Sequence, residues 1–416
     1  MRSETMERGI AAALALLSAV GCGRSIAESG SGDPGAEGRG VAGSFEIEAA
    51  PCQKRDAWTV YTGPDDAVAQ SLSLGDRTNG LLWWSDTIGG PRELRFSEID
   101  AANPVIKESV TLTSSSLITT ARVVRHDGVF VAAWVDAQLA VHVGRLSGQT
   151  LASDTVVAQN TDLTEIGLGH TASGRLVVGW SSFQGTLTVA TSPDGVVFST
   201  PSTIGGAGFG RAISIAEANA GAAIAWSAFF QNPDQSNLHF ALVRDDGAAV
   251  VPDTALTHHD RYVYDVALMR GKDSFAIATT DSRVDIGNVP LYATSVSLDG
   301  KPSGVDHRLT FSGGHEFLDG AFSGAAFGVV YDEHDGIGTQ VHIRQLAPDG
   351  ADLFGAFQVS SATYKRYDCC TDTRYAQVAS RRDGSFLVVW SEVEARAGGG
   401  AAFSLKAAAL DCAEAR

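Results

Sequence analysis

The chain has 416 residues, 44% of them hydrophobic and 19% charged, which is enough apolar surface for a large core and excludes disorder for the bulk of it. Its 48 acidic against 31 basic residues give a formal charge of −17, which repels nucleic acid and anionic lipid head groups and removes both as partners. With 46 Gly and only 3 Met, the composition favours strands and turns over long helices.

Arg2 and Arg8 mark the start, an uncharged run from Ile10 to Val20 follows, and small residues close it at Gly21 and Cys22, the layout of a secretory signal over residues 1–22. The run is too short to span a bilayer. Leu17-Ser18-Ala19-Val20-Gly21-Cys22 resembles the bacterial lipoprotein box, with Ala19 where that family has Leu. The resemblance implies lipidation of Cys22, and Gly23 in place of an acidic residue implies an outer-membrane lipoprotein of the cell envelope, periplasmic or surface-exposed. Residues 23–50 are Gly, Ser, Ala, Glu and Asp with almost no large apolar side chain, a composition that reads as a flexible tether. The folded domain is then 51–416.

From Asp56 onward one pattern is written seven times. An alternating strand is followed by a Gly-containing turn, then an apolar run ending in an aromatic residue, then a third strand and a polar turn such as Asp299-Gly300 or Asp349-Gly350. The apolar runs are clearest at Gly80–Asp86, Gly128–Asp136, Gly174–Ser182, Gly221–Ala228, Asp273–Asp281, Gly324–Glu333 and Gly384–Glu392. Their anchors are Trp84, Trp134, Trp180, Trp226, Thr279, Tyr331 and Trp390, spaced 50, 46, 46, 53, 52 and 59 residues apart. Four short strands per repeat of this length predict an all-β fold, a seven-bladed β-propeller with the anchors packed between neighbouring blades.

The last repeat ends after its third strand, while an extra strand, Trp58-Thr59-Val60-Tyr61, precedes the first. This N-terminal strand is expected to close the last blade and leave no open sheet edge. Cys52 and Cys412 flank the closure, and a disulfide there would close a loop of about 360 residues, stabilising by roughly 5 kcal/mol at most. Cys369 and Cys370 can instead pair with them or with each other, since four cysteines allow three connectivities. The vicinal pair leaves the closure bond intact.

Propellers bind ligands at the mouth of the channel, on the loops entering the innermost strands and those between second and third strands. The richest entering loops belong to blades five to seven. They carry His259, Asp260, Arg261 and Tyr262, then His315 and Glu316, then Arg366, Asp368, Arg374 and Tyr375. Glu316, Asp368 and Asp260 are candidate catalytic carboxylates of a glycoside hydrolase, and the arginines, tyrosines and histidines would bind an anionic or glycan ligand. A charged, soluble rim explains the same residues. No histidine spacing matches a metal motif, and no phosphate loop, serine elbow or His-Glu-x-x-His stretch occurs, so no metal or cofactor is expected.

Ser192-Pro193-Asp194-Gly195-Val196-Val197-Phe198 resembles the Asp-box of sialidases and related propellers, a turn that is structural in that family. The resemblance implies fold and not activity. The leading expectation is a monomeric, lipid-anchored propeller that binds a protein or glycan partner through one face without catalysis. The competing one is a sialidase-like glycoside hydrolase or lyase.

Overall fold

The computed structural model describes residues 52–63, 66–86, 91–115, 120–159, 163–182, 186–205, 210–229, 236–259, 261–283, 289–311, 314–334, 339–360, 376–381, 383–395 and 401–412. Residues 1–51, with Cys22, lie outside this set.

After β1 (Gln53–Tyr61), blade one comprises β2 (Asp66–Ser73), β3 (Thr78–Asp86), β4 (Arg92–Asp100) and β5 (Val110–Ser115). Blade two is β6 (Ala121–His126), β7 (Val129–Val135), β8 (Val141–Ser147) and β9 (Thr150–Ala158). Blade three is β10 (Leu163–His170), β11 (Leu176–Ser182), β12 (Leu187–Ser192) and β13 (Ser202–Gly205). Blade four is β14 (Gly210–Ala218), β15 (Gly221–Phe229), β16 (Ser236–Val243) and β17 (Ala249–Ala255). Blade five is β18 (Val263–Arg270), β19 (Ser274–Asp281), β20 (Leu291–Ser297) and β21 (Pro302–Arg308). Blade six is β22 (Gly314–Phe322), β23 (Phe327–His334), β24 (Thr339–Leu346) and β25 (Asp352–Gln358). Blade seven holds β26 (Gln377–Ser380), β27 (Phe386–Ala395) and β28 (Ala401–Asp411). Its fourth strand is β1, so its order is β1-β28-β27-β26. The fold is the expected seven-bladed propeller, and β1 runs antiparallel to β28 from Gln53↔Asp411 to Tyr61↔Leu405. Cys52 and Cys412 are disulfide-bonded beside that pairing.

The second strands are continuous apolar runs because both of their faces are covered by neighbouring blades. Along β3, Leu81 and Trp83 pack on Leu387 and Val389 of blade seven, while Leu82 and Trp84 pack on Phe130 and Trp134 of blade two. Five further buried clusters fill the remaining interfaces, so the core is a ring of seven apolar seams. This assignment moves one anchor. Trp134, Trp180, Trp226, Tyr331 and Trp390 face the preceding blade, and in blade one the residue that does so is Trp83 and not Trp84. On the third strand, Arg95, His142, Thr188, His239, His342 and Lys406 stand directly opposite these six positions, and Tyr292 stands opposite Thr279 of blade five.

The innermost strands follow one another around the axis, and β26 returns to β2. Their free edges carry backbone N–H groups that need acceptors. The preceding blade supplies them: Val123 donates to Ser71 Oγ at 3.1 Å, Ile166 to Thr120 Oγ1 at 3.1 Å and Leu268 to Ser214 Oγ at 3.0 Å. Phe317 donates to Asp265 Oδ2 at 3.1 Å, Val378 to Asp319 Oδ2 at 2.9 Å and Ala69 to Ser391 Oγ at 3.1 Å. Between blades three and four the contact is apolar, and a Cβ on Gly167 would come within 2.6 Å of Ile213.

Gly221 opens β15 at φ +140°, where an added Cβ would fall on the Val243 carbonyl oxygen. Gly324 has φ +93° with nothing within 4 Å of that position. Gly221→Ala is therefore expected to destabilise by ~2–4 kcal/mol and Gly324→Ala by only ~1 kcal/mol. Thermal melts of the two variants test this, and equal losses would reject the steric account.

Candidate functional site

In every blade the inner strand starts at the same end of the ring, so the connections entering inner strands share one face with those between second and third strands. His258, His259, Arg261 and Tyr262 lie there, between β17 and β18. His259 is held on both ring nitrogens. Arg261 N–H approaches its Nδ1 at 3.3 Å, so Nε2 carries the proton and donates to Asp281 Oδ2 at 3.0 Å. Its backbone N–H donates to Asn237 Oδ1 of blade four at 3.1 Å.

Asp281 ends β19 with no exposed surface, and it also accepts from Arg283 Nε at 2.7 Å and from the Arg283 backbone N–H at 2.7 Å. The Arg283 guanidinium reaches on to Asp306 of β21 and lies over the Tyr292 ring at 4.0 Å from its centroid. Burial opposes the charge on Arg283, but Asp281 and then Asp306 outweigh it and hold the guanidinium above its ordinary value. Burial raises the Tyr292 hydroxyl, with Arg283 acting the other way. A buried carboxylate shared between a histidine and an arginine is a rigid platform, because each charge is already compensated.

Tyr262 and Ser282 exchange hydrogen bonds through Tyr262 N–H to Ser282 Oγ and Ser282 N–H to Tyr262 O, and the Tyr262 and Tyr264 rings lie 5.7 Å apart. Arg261 contributes its carbonyl to Ser236 N–H at 2.8 Å. His315 is not in a loop: it is the second residue of β22, has no exposed surface and meets Tyr331 edge-on at 5.2 Å. Its N–H bonds Val289 O, tying blade six to blade five. Glu316 follows it in β22, opposite Asp332 in the register. Asp260, Arg366, Asp368, Cys369, Cys370, Arg374 and Tyr375 lie outside the described residues. The structure thus joins His259 to blade five, seats His315 beneath Tyr331 and leaves these two histidines in separate environments.

Sequence reading missed the Asp281–Arg283–Asp306 network, whose only signal is the Asp-Ser-Arg that follows the apolar run of blade five. It also missed a register shift in β22 between Glu316 and Asp319, where Phe317 takes φ +56°. A phenylalanine in the left-handed region is strained, and here Asp265 fixes its N–H.

Asp319 and His170 are also shifted from their ordinary values. Asp319 is enclosed by protein and reaches water only in part, and burial raises its carboxyl to about 6 although Val378 N–H and the charge of Arg122 favour ionisation. On the opposite face His170 stacks on His126 at 5.5 Å with 16° between the rings. Burial, and then the neighbouring His126, lower His170 to about 4. Among the described residues no group of three His, Cys, Asp or Glu side chains is placed to hold a metal ion, and no helix is long and apolar enough to cross a membrane.

These features define a seven-bladed, four-stranded β-propeller closed by its N-terminal strand. No protein-family model and no curated protein matches the chain. Among solved structures it is similar to a protein of unknown function from Dyadobacter fermentans, at 12% identity and a TM-score of 0.53, over 88% of this chain and 100% of that one. It is also similar to the subtype N11 neuraminidase-like protein of A/flat-faced bat/Peru (H18N11), at 10% identity and a TM-score of 0.48, over 88% of this chain and 96% of that one. At 12% identity the likeness to the Dyadobacter protein is one of fold alone.

Proposed function

We propose that the chain is a non-enzymatic binding propeller, held at the cell envelope by a lipid on Cys22, that engages a protein or glycan partner through the face carrying His259, Arg261 and Tyr262. The observation that carries this reading is the compensated network around Asp281. Its histidine, arginine and carboxylates are committed to one another, which suits a fixed recognition surface and leaves that group without a free acid or base. A mouth built from loops on a rigid ring is the usual place for recognition in such folds.

The turn at Ser192 supports the resemblance to Asp-box propellers. Ser192 Oγ accepts from Gly195 N–H at 2.8 Å, and Asp194 Oδ1 accepts from Val196 and Val197 N–H, each at 2.9 Å. These bonds hold Asp194 below its ordinary value, Val197 first and Val196 next. They shape a turn and supply no reacting group.

A glycan array with the tether-free domain, run beside a panel of fluorogenic glycosides, tests the reading. Saturable glycan or protein capture without turnover is the expected result. Turnover that disappears in Glu316→Gln would replace binding with glycoside hydrolysis. Fatty-acid labelling of the expressed chain should vanish in Cys22→Ser, and labelling that persists would remove the anchor.

A further inference from the structure

The face opposite the mouth carries a second feature. At the seam between blades six and seven lies a cavity of about 180 Å³, lined by Ser323, Gln345, Asp383, Ser385, Asp411 and Cys412 among others. Ser323 and the Asp383–Ser385 stretch belong to the turns between first and second strands, and Asp411 ends β28 beside the disulfide.

Gln345 supplies the decisive observation. It is 3% exposed, lines this cavity, and its Oε1 is buried without a hydrogen-bond partner. A buried carbonyl left so pays the full desolvation penalty unless something donates to it. The other polar groups around the cavity are acceptors or have spent their protons. Ser323 Oγ donates to Ala326 O, and Ser385 Oγ donates to Asp383 Oδ1. Asp383 Oδ2 and Asp411 Oδ1 face one guanidinium, Arg55 Nη1, at 3.5 and 3.3 Å, and Arg55 Nε also serves Asp56 at 3.4 Å. Among the described residues, three carboxylates against Arg55 leave the group electronegative. Another described cation, Arg381, directs Nη2 to Ala101 O.

A donor with positive charge fits this lining, and its shape can be narrowed. A guanidinium binds best as a fork across both oxygens of one carboxylate, but Asp383 Oδ1 is already taken by Ser385 N–H and Oγ. Calcium needs six to eight oxygen ligands, and the described residues offer no group of three carboxylates or histidines placed for a metal. Single acceptors from Gln345, Asp383 and Asp411 suit the three N–H donors of an ammonium. We propose that this seam cavity receives a primary alkylammonium group, the side-chain end of a lysine on a partner polypeptide.

Titration calorimetry of the oxidised protein with Nα-acetyl-lysine methylamide, its Nε-acetylated counterpart and putrescine tests this. The lysine probe should bind saturably, on the order of millimolar for so small a group, and the Nε-acetylated probe should not. Gln345→Glu should tighten the lysine probe at least threefold, and Gln345→Leu should weaken it at least threefold with the melting temperature preserved. If the leucine variant fails to fold, the glutamate variant carries the test. Putrescine binding tighter than the lysine probe would move the ligand from a polypeptide to a free polyamine and overturn the partner named here. Absence of saturable amine binding, or equal affinity in native protein and variants, would mean that Gln345 is served by water, and would overturn the site. The mouth takes no part in either outcome.

Discussion

Replacing both Cys52 and Cys412 by Ser is expected to lower the unfolding free energy by ~3–5 kcal/mol while leaving the propeller folded. The bond joins residues 360 apart, so its loss frees nearly the whole domain in the unfolded chain. In the native state β1 still pairs with β28 along its full length, and Val60 stays fully buried against blade one. The ring should therefore keep its secondary structure and lose its margin. Chemical denaturation of the two proteins tests this: a lower midpoint is expected, with a steeper slope because the uncrosslinked unfolded chain exposes more surface. An unchanged midpoint would mean that strand pairing alone sets the closure.

Stability between pH 4 and 6.5 should hide two opposed slopes that single variants expose. Asp319 has a folded value of about 6, raised above 3.8, so the native state binds the proton more tightly and stability falls as pH rises through that range. His170 has a folded value of about 4, lowered from 6.5, so its contribution is present above 6.5 and is lost as pH falls towards 4. Shifts of this size correspond to at most ~3 kcal/mol each, and they offset one another in the native chain. Asp319→Asn keeps an acceptor for Val378 N–H and removes the penalty on charge, so it should be the more stable protein at pH 7.5 and should lose stability on acidification. His170→Gln should show the reverse slope. Urea midpoints of the three proteins at pH 4.5, 6 and 7.5 decide the matter. Parallel profiles would show that neither group is perturbed.

Much of the architecture was legible because it repeats. Seven apolar runs, each flanked by turns, announce buried second strands, and the missing fourth strand of the last repeat announced the role of Trp58–Tyr61. Adjacent Trp83 and Trp84 defeated the finer reading. A strand buried on both faces has no polar side to reveal which tryptophan looks backward, and only the packing against Leu387 and Val389 decides for Trp83. His315 read as a loop residue because Gly313 and Gly314 precede it, yet the pairing of Gly314 with His334 extends the strand and buries it. The Asp281 network was invisible for a different reason. His259 and Asp306 come from elements remote in sequence from the Asp281–Arg283 stretch, and only folding brings the first to Asp281 and the second to Arg283.

The path of β1 fixes which way the molecule presents itself. It runs from the turn face towards the mouth, so the chain enters the ring at Cys52 and leaves it at Cys412 on the same side, where Cys412 lines the seam cavity. The segments before Cys52 and after Cys412 therefore join the ring on one and the same face. The loops bearing Arg261 and Tyr262 belong to the other face, so a lysine at the seam and a ligand at the mouth would approach from opposite ends of the ring.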